Sequence, residues 1–381
     1  LTPRRRWEDL PLAVRRTFEQ LGVPQAERRY FAGSGAQLES LTAYHRLKER
    51  WRREGIIFED FDTAVQQYPA LIKRYFMTEC VRPQEHKFAA LHAAVFSGGT
   101  FIYVPPRRKV TLPLQAYFRM FAPATGQFEH TLIIADKAAE VTYLEACSAP
   151  RYNKANLHAG CVEIFVRPHA KVRYISVENW SANTYNLNTK RALVDTDGYL
   201  EFINGNFGAG TTMLYPSVIL RGPRARTRVL GVALAGKGQR QDTGAKVFHY
   251  AAQTQATVFS RNVVGPGGHS TYRGHVYIAA GAREARVAVS CEALLLGQSA
   301  AAQTLPSFDV RAPAAEVAHE ASVGRLGEEQ IFYLRTRGFT ETEAVEALIL
   351  GFFGPLVRRL PLEYAVEFRR LLNLELIHKA A

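Results

Sequence analysis

Hydrophobic and polar positions change their period twice along the chain. From residue 1 to about 95, apolar side chains recur every three or four residues. PLAVRRTFEQLG opens with Pro11, suited to a first helical turn, sets Leu12, Val14, Phe18 and Leu21 for burial, and ends at Gly22. SLTAYHRLKERWRREG repeats Leu41, Tyr44, Leu47 and Trp51 and closes at Gly55. Both stretches predict helices. Between residues 96 and 323 the texture becomes short runs of Val, Ile, Tyr, Phe and Thr, punctuated by Gly, Pro, Asn and Asp, which predicts strands and turns with almost no helix. Residues 324–381 return to helical spacing. EEQIFYLRTR ends near Gly338, Thr340 and Glu343 form a capping-box pattern ahead of TETEAVEALIL, and Pro361 starts LEYAVEFRRLLNLEL. These amphipathic helices offer a packing surface, or close the open end of the preceding unit.

A weak repeat runs through the middle region. DKAAEVTYL (136–144) matches RPHAKVRYI (167–175), aligning Ala139 with Ala170, 31 residues later; Ala225 and Ala256 echo the same spacing. Self-similar strand units with small corner residues predict stacked coils, each burying its inner face against the next. The expected fold is therefore mainly β: a β-solenoid core over 96–323 between helical regions at 1–95 and 324–381. A β-sandwich is the alternative on pattern alone.

Composition narrows the class. A chain of 381 residues with 47% hydrophobic content can bury a sizeable core. Its net charge of +13 invites a nucleic-acid reading, but Arg4–Arg6, Arg46–Arg53 and Arg107–Lys109 are widely separated, and the second cluster is interrupted as on a solvated helix face. We expect no nucleic-acid partner. No run approaches the ~20 apolar residues of a membrane span, and LTPRRRWEDL lacks the apolar core of a signal peptide. A cytoplasmic setting is expected, or a plastid if a targeting segment has been removed, since the chain opens without methionine. Cys80, Cys147, Cys161 and Cys291 lie far apart with no CxxC pair, which speaks against a disulfide framework and a compact zinc site.

Several stretches look chemical. GVALAGKG (231–238) falls one residue short of a phosphate loop, because Gly238 supplies no hydroxyl for magnesium and VALA continues a strand. GPGGHS (265–270) reads as a turn. Cys147, in LEACSAP, stands where a strand runs out toward Pro150 and is either a reachable thiol or a small buried hydrophobe. Cys291, in VSCEALLLGQ, is followed 28 and 29 residues later by His319 and Glu320, near one repeat spacing. Thiolate, imidazole and carboxylate together form a set that binds iron, too small to close a cluster without a partner ligand.

GQFEHTLIIADKAAEVTYLEACSAP, VRYISVENW, YNLNTKRA, GKGQRQDTGAK and HEASVGRLGEEQIFYLRTRGF resemble the SufB subunit of the SUF iron-sulfur cluster assembly machinery. The resemblance runs in order from Arg6-Trp7-Glu8-Asp9 almost to the C-terminus. It implies a right-handed parallel β-helix flanked by helical regions, acting as an assembly scaffold rather than an enzyme. It places the sulfur acceptor on Cys147, with Ala146 in place of the usual glycine, and the nascent cluster on Cys291 and Glu320, with His319 ranked below Glu320. Arg119, Trp180 and Lys190 match a proposed sulfur path through the β-helix. The transient iron-sulfur cluster is the implied cofactor, with flavin only in the full complex. Implied partners are the SufC ATPase, docked on the C-terminal helices, a SufD paralog or second SufB copy along the β-helix, and a SufE- or SufU-type sulfur donor with its cysteine desulfurase. The alternative is a SufD-like structural subunit that binds SufC without receiving sulfur. Three residues depart from the pattern: Arg240 and Phe121 on the interior path, and Cys161, an additional thiol.

Overall fold

Strands that are apolar on alternate residues, joined by tight corners, can bury their inner faces only by stacking on one another. The computed structural model, which describes residues 4, 6–20, 27, 30–38, 41–120, 122–150 and 153–359, has this architecture: a parallel β-solenoid of about 8 turns with helices toward both ends, 49% strand and 18% helix. Each coil gives one strand to each of two sheets. The first sheet stacks Leu114–Arg119, Glu140–Ser148, Lys171–Asn179, Tyr199–Phe207, Arg226–Ala235, Gln255–Val264, Arg286–Leu295 and Glu316–Arg325. The second includes His130–Ala135, Cys161–Val166, Thr184–Val194, Arg240–His249, His269–Ile278 and Ala301–Val310. Inward residues such as Val141, Tyr143, Val172, Val162 and Ile164 fill the lumen.

Both sheets also have a covered outer face. On the second, Phe61, Ile72 and Tyr75 from helices Phe61–Gln67 and Pro69–Tyr75 pack on Phe101, Leu132, Ile134 and Phe165. On the first, Ile349 and Phe353 pack on Leu144, Ile175, Ile203 and Leu230. The end of helix Glu341–Phe352 therefore lies against the side of the solenoid, and in the last coil, Glu316–Arg325, every residue is exposed. Helix Glu341–Phe352 opens with the expected capping box of Thr340 and Glu343.

One corner repeats from coil to coil in the left-handed conformation. Arg107, Ala138, His169, Asp197, Arg224, Gln253 and Glu284 all have φ between 54° and 62°. Their amides donate to the next coil, as Ala138 does to Pro168 and His169 to Thr196. GPGGHS forms a comparable corner, with Gly267 at φ 70°, and VALA of the near-phosphate-loop stretch continues strand Arg226–Ala235.

The structure corrects several expectations. Leu41–Leu47 is a strand, antiparallel to Gly33–Leu38; only Glu49–Arg53 of the expected second helix is helical. Its three- and four-residue spacing is compatible with either element, and pairing that buries Tyr44, His45 and Leu47 decides the outcome. In the first helix, Leu12–Gln20, Leu12 is largely exposed while Val14 packs on the Trp7 and Tyr44 cluster. The coil step is not constant. Lys171 stacks on Glu140, 31 residues back, which keeps Ala139 and Ala170 in line, but Gln255 stacks on Arg226, 29 back, so Ala256 meets Thr227 rather than Ala225. Leu21, Gly22, Phe121 and the helix expected from Pro361 lie outside the described residues.

Candidate functional site

The interior of a solenoid should be alkyl, and around Cys147 it is not. Cys147 is the last inward residue of Glu140–Ser148 and stacks directly on Glu178 of the next coil. Across the lumen, the inward positions of Thr184–Val194 bring Asn186, Asn188 and Lys190 to the same level. Lys190 Nζ donates to Glu178 Oε1 at 2.7 Å and to Ser176 Oγ at 2.9 Å. Asn186 at 2.6 Å, Asn188 at 3.1 Å and the Trp180 indole at 3.4 Å also donate to Glu178. Trp180 lies against His158, ring centroids 4.3 Å apart, and His158 bonds Glu129 with one nitrogen and Asn186 with the other. Glu145 accepts from Thr131 and Tyr174, each at 2.8 Å.

The charges of this buried cluster are mutually supported. Burial disfavours an ionised Glu178, but Lys190 and His158 outweigh it and hold the carboxyl below its usual range. Burial likewise opposes a charged Lys190, yet Glu178 and Glu145 keep its pKa raised. Glu145 is pushed up, first by burial. Cys147 is raised well above an ordinary thiol by burial and by Glu145, Glu129 and Glu178, against the single pull of Lys190. It rests as a neutral thiol, 2% exposed, with its sulfur and the ligating atoms of Glu129 and His158 all within 4.8 Å of one another. That trio is a competent set for a soft divalent metal or for gripping a sulfur anion once protonated.

The expected site residues separate into two groups. Cys147, Trp180 and Lys190 share the lumen. Arg119 ends the neighbouring strand and reaches only the edge, donating to Ser148 Oγ at 2.9 Å. Cys291 sits far along the axis. Its column runs Glu145, Ser176, Asn204, Gly231, Ser260, Cys291, five coil steps and roughly 24 Å at the spacing of adjacent strands. Cys291 is pushed up to about 12 by burial, partly countered by a hydrogen bond from Tyr272. The next coil places Ala321 on Cys291, Glu320 on Ser290 and His319 on Val289. Because successive side chains alternate, His319 shares the inward face of Cys291 and Glu320 takes the other. Arg240 opens its strand on the surface, beside Thr211 and His269.

Between the two cysteines the lumen stays polar. Asn206 and Asn262 line the first sheet; Thr212, Gln241 and Ser270 line the second. Asn204 Nδ2, Asn206 Oδ1, Thr212 Oγ1, Gln241 Oε1, Asn262 Oδ1 and Ser270 Oγ are buried with no partner in the protein. Unpaired buried polar atoms are costly, so a row of them marks a track for water or for a polar passenger. Sequence inspection missed Glu129, Glu145, His158, Glu178 and this seam. The available signal was parity: Glu145, His158, Glu178 and the seam residues occupy inward positions of their strands, whereas Glu129 precedes strand His130–Ala135 and offered no such signal.

Comparison with known proteins agrees with this architecture. The family model "SUF system FeS cluster assembly, SufBD core domain" matches residues 118–352. An iron-sulfur cluster assembly SufBD family protein of Staphylococcus saprophyticus is 45% identical over 372 residues, covering 98% of this chain and 80% of the relative. A Staphylococcus aureus protein of the same description matches at 45% over the same span. The chain belongs to the SufBD family of iron-sulfur cluster assembly proteins.

Proposed function

We propose that this chain is a SufB-type scaffold, which takes up sulfur at Cys147 and assembles a nascent iron-sulfur cluster at Cys291. The observation that carries this reading is the polar seam with unpaired lining atoms that links the two thiols. In the uptake step, the Cys147 sulfur attacks the terminal sulfur of a donor persulfide as the thiol gives up its proton. An S–S bond forms on Cys147, the donor's S–S bond breaks, and the departing donor sulfur takes up that proton and leaves as a thiol, with no net oxidation. Lys190, the cation nearest the acids of this cluster, stabilises the persulfide anion, while Trp180 and His158 wall the chamber. Arg119 guards the entrance beside Ser148. At the far end Cys291 supplies a soft ligand and His319, on the same face, a second; Glu320, on the opposite face, would need the strand to move. A residue of a paired SufD or second SufB completes the shell, any flavin belonging to that full complex. The donor is of the SufE or SufU type, fed by a cysteine desulfurase. SufC docks on the C-terminal helices and provides the ATPase activity. The assembly works in a cytoplasmic setting; among the described residues no helix is long and apolar enough to cross a membrane.

The burial of Cys147 favours a rival, a SufD-like structural subunit that binds SufC and never receives sulfur. A persulfide-loaded donor separates the two. Mass spectrometry should find the added sulfur on Cys147, and Cys147→Ala should abolish it. Label confined to Cys80 or Cys161 defeats the scaffold reading. Cys291→Ser should leave SufC binding intact while cluster yield in the reconstituted complex falls at least tenfold; wild-type yield and lifetime would reduce Cys291 to packing.

A further inference from the structure

The outer face of the second sheet carries a separate gathering of metal-ligating groups that the sulfur chemistry does not use. Parallel register sets Cys161 beside His130, and Glu163 follows two residues later on the same face. The N-terminal helix Lys87–Val95 lies over them and lowers His92 onto the pair. All four residues are buried, His92 at 2% exposure and the others at 0%. The ligating atoms of His92, His130 and Cys161 lie within 4.8 Å of one another. We propose that His92, His130 and Cys161 bind one divalent transition-metal ion of the zinc class, with Glu163 as the positioning residue for His130.

The hydrogen bonds behind the imidazoles point to this. His92 Nδ1 lies 3.0 Å from the carbonyl of Ala159, which can only accept, so that nitrogen carries the proton and Nε2 presents a lone pair. His130 Nε2 lies 3.1 Å from Glu163 Oε2. Glu163 also accepts from the amides of Met77 at 2.7 Å and Val81 at 2.9 Å, which fix its carboxyl behind His130. Burial pushes Glu163 up to about 8 in the metal-free chain, where its proton can go to His130 Nε2; a bound cation favours the carboxylate, and His130 then donates to it and presents a lone pair at Nδ1. The two lone pairs then face each other across 3.0 Å. Without a metal, the proton of His130 Nδ1 spans this contact; the sulfur of Cys161, within 4.8 Å of the ligating atoms of both imidazoles, makes the set one that a metal can use in its place. Two imidazoles, each held from behind by a carbonyl or a carboxylate, with one thiolate, are a zinc-type donor set.

Charge and size agree. A dication, the Cys161 thiolate and the Glu163 carboxylate sum to zero, the condition for burying an ion without large cost. Tetrahedral ligation needs ligating nitrogens roughly 3.3 Å apart, a widening of a few tenths of an ångström. The rings of Phe61, Phe76 and Phe96 surround His130 and keep solvent from the ion. Wide sequence separation hid the set, because its members come from a helix and two coils. Held in this way, the ion would staple that helix to the outer wall of the solenoid, on the opposite side of the sheet from the chamber of Cys147.

Cobalt tests the site directly. The reduced full chain, stripped with chelator and titrated anaerobically with Co2+, should bind one equivalent. It should show thiolate-to-cobalt charge transfer and the intense visible bands of four-coordinate cobalt, both bleached by Zn2+. The signature should vanish in Cys161→Ala and weaken at least tenfold in affinity in His92→Gln. It should persist in Cys80→Ala, Cys147→Ala and Cys291→Ala. Cys161→Val keeps the apolar wall, so its metal-free melting should match that of the wild type, and Zn2+ should raise melting only in the wild type. The absence of a thiolate band in the wild type overturns the proposal. So does a band that survives Cys161→Ala, or one lost only with Cys147→Ala, which would place the metal in the interior trio.

Discussion

Lys190 and Glu178 show how a single contact holds the chamber together. Both are buried, and their ion pair at 2.7 Å is saturated by asparagines on one side and Ser176 on the other. Lys190→Met leaves Glu178 charged and uncompensated, so chemical denaturation should show a loss of about 3–5 kcal/mol, and the double variant Lys190→Met, Glu178→Leu should recover most of it. His249 offers a pH test away from any site. Burial pushes its pKa down to about 4, with its Nδ1 2.8 Å from Thr254 Oγ1. The unfolded chain takes up this proton near pH 6.5 and the folded chain does not until about pH 4. Stability is therefore full above the unfolded value and falls by ~1.4 kcal/mol per pH unit as the pH drops through that window. His249→Gln should remove this part of the slope in denaturation curves collected from pH 4 to 7. At this scale the sequence singled out Cys147 and Cys291 only through motifs that resemble those of the SufB subunit, and their roles rest on that resemblance. Glu129 and His158 were not, since a buried polar residue looks like a surface one until the strand's facing is known.

Elements were legible where local rules agree with tertiary packing. The capping box of Thr340 and Glu343, the strand carrying Cys147 and the turn at GPGGHS all followed from local chemistry. The strand Leu41–Leu47 did not, because its pattern was ambiguous and its partner lay on the other side of a turn. The left-handed corners were also hard to see: Asp197 and His169 are types enriched at positive φ, but Arg107, Ala138, Arg224, Gln253 and Glu284 give no such signal. They persist because the corner amides of Arg107, Ala138, His169, Asp197, Arg224 and Gln253 each donate to the next coil. A residue with a side chain is strained there, so Ala138→Gly should raise stability by ~1 kcal/mol, while Ala138→Val should lower it by more, as read from thermal melts of the two variants.

At the scale of the whole molecule, the three-part texture and the stacked coils were legible, whereas the lengths of individual coils were not. Corners absorb insertions without disturbing the strands they join, so steps range from 26 to 32 residues and a fixed period misaligns Ala225 with Ala256. The two ends of the solenoid differ. At the N-terminal end the strands Leu41–Leu47 and Ile57–Asp60 run antiparallel to their neighbours and are packed under Trp7, Leu10 and Trp51. At the other end Glu316–Arg325 leaves Val317 and Val323 exposed beside an open strand edge, with Phe308 and Val310 on the companion strand. Pairing through this edge is tested by Val317→Lys with Val323→Lys: sedimentation velocity should show concentration-dependent dimerisation in the wild type and a monomer in the double variant, with the melting temperature unchanged. Among the described residues the solenoid has one capped end and one open strand edge, a valence of one for strand addition. Two such blocks joined edge to edge would use up both open edges, so stackable coils of this kind would give a pair instead of a filament.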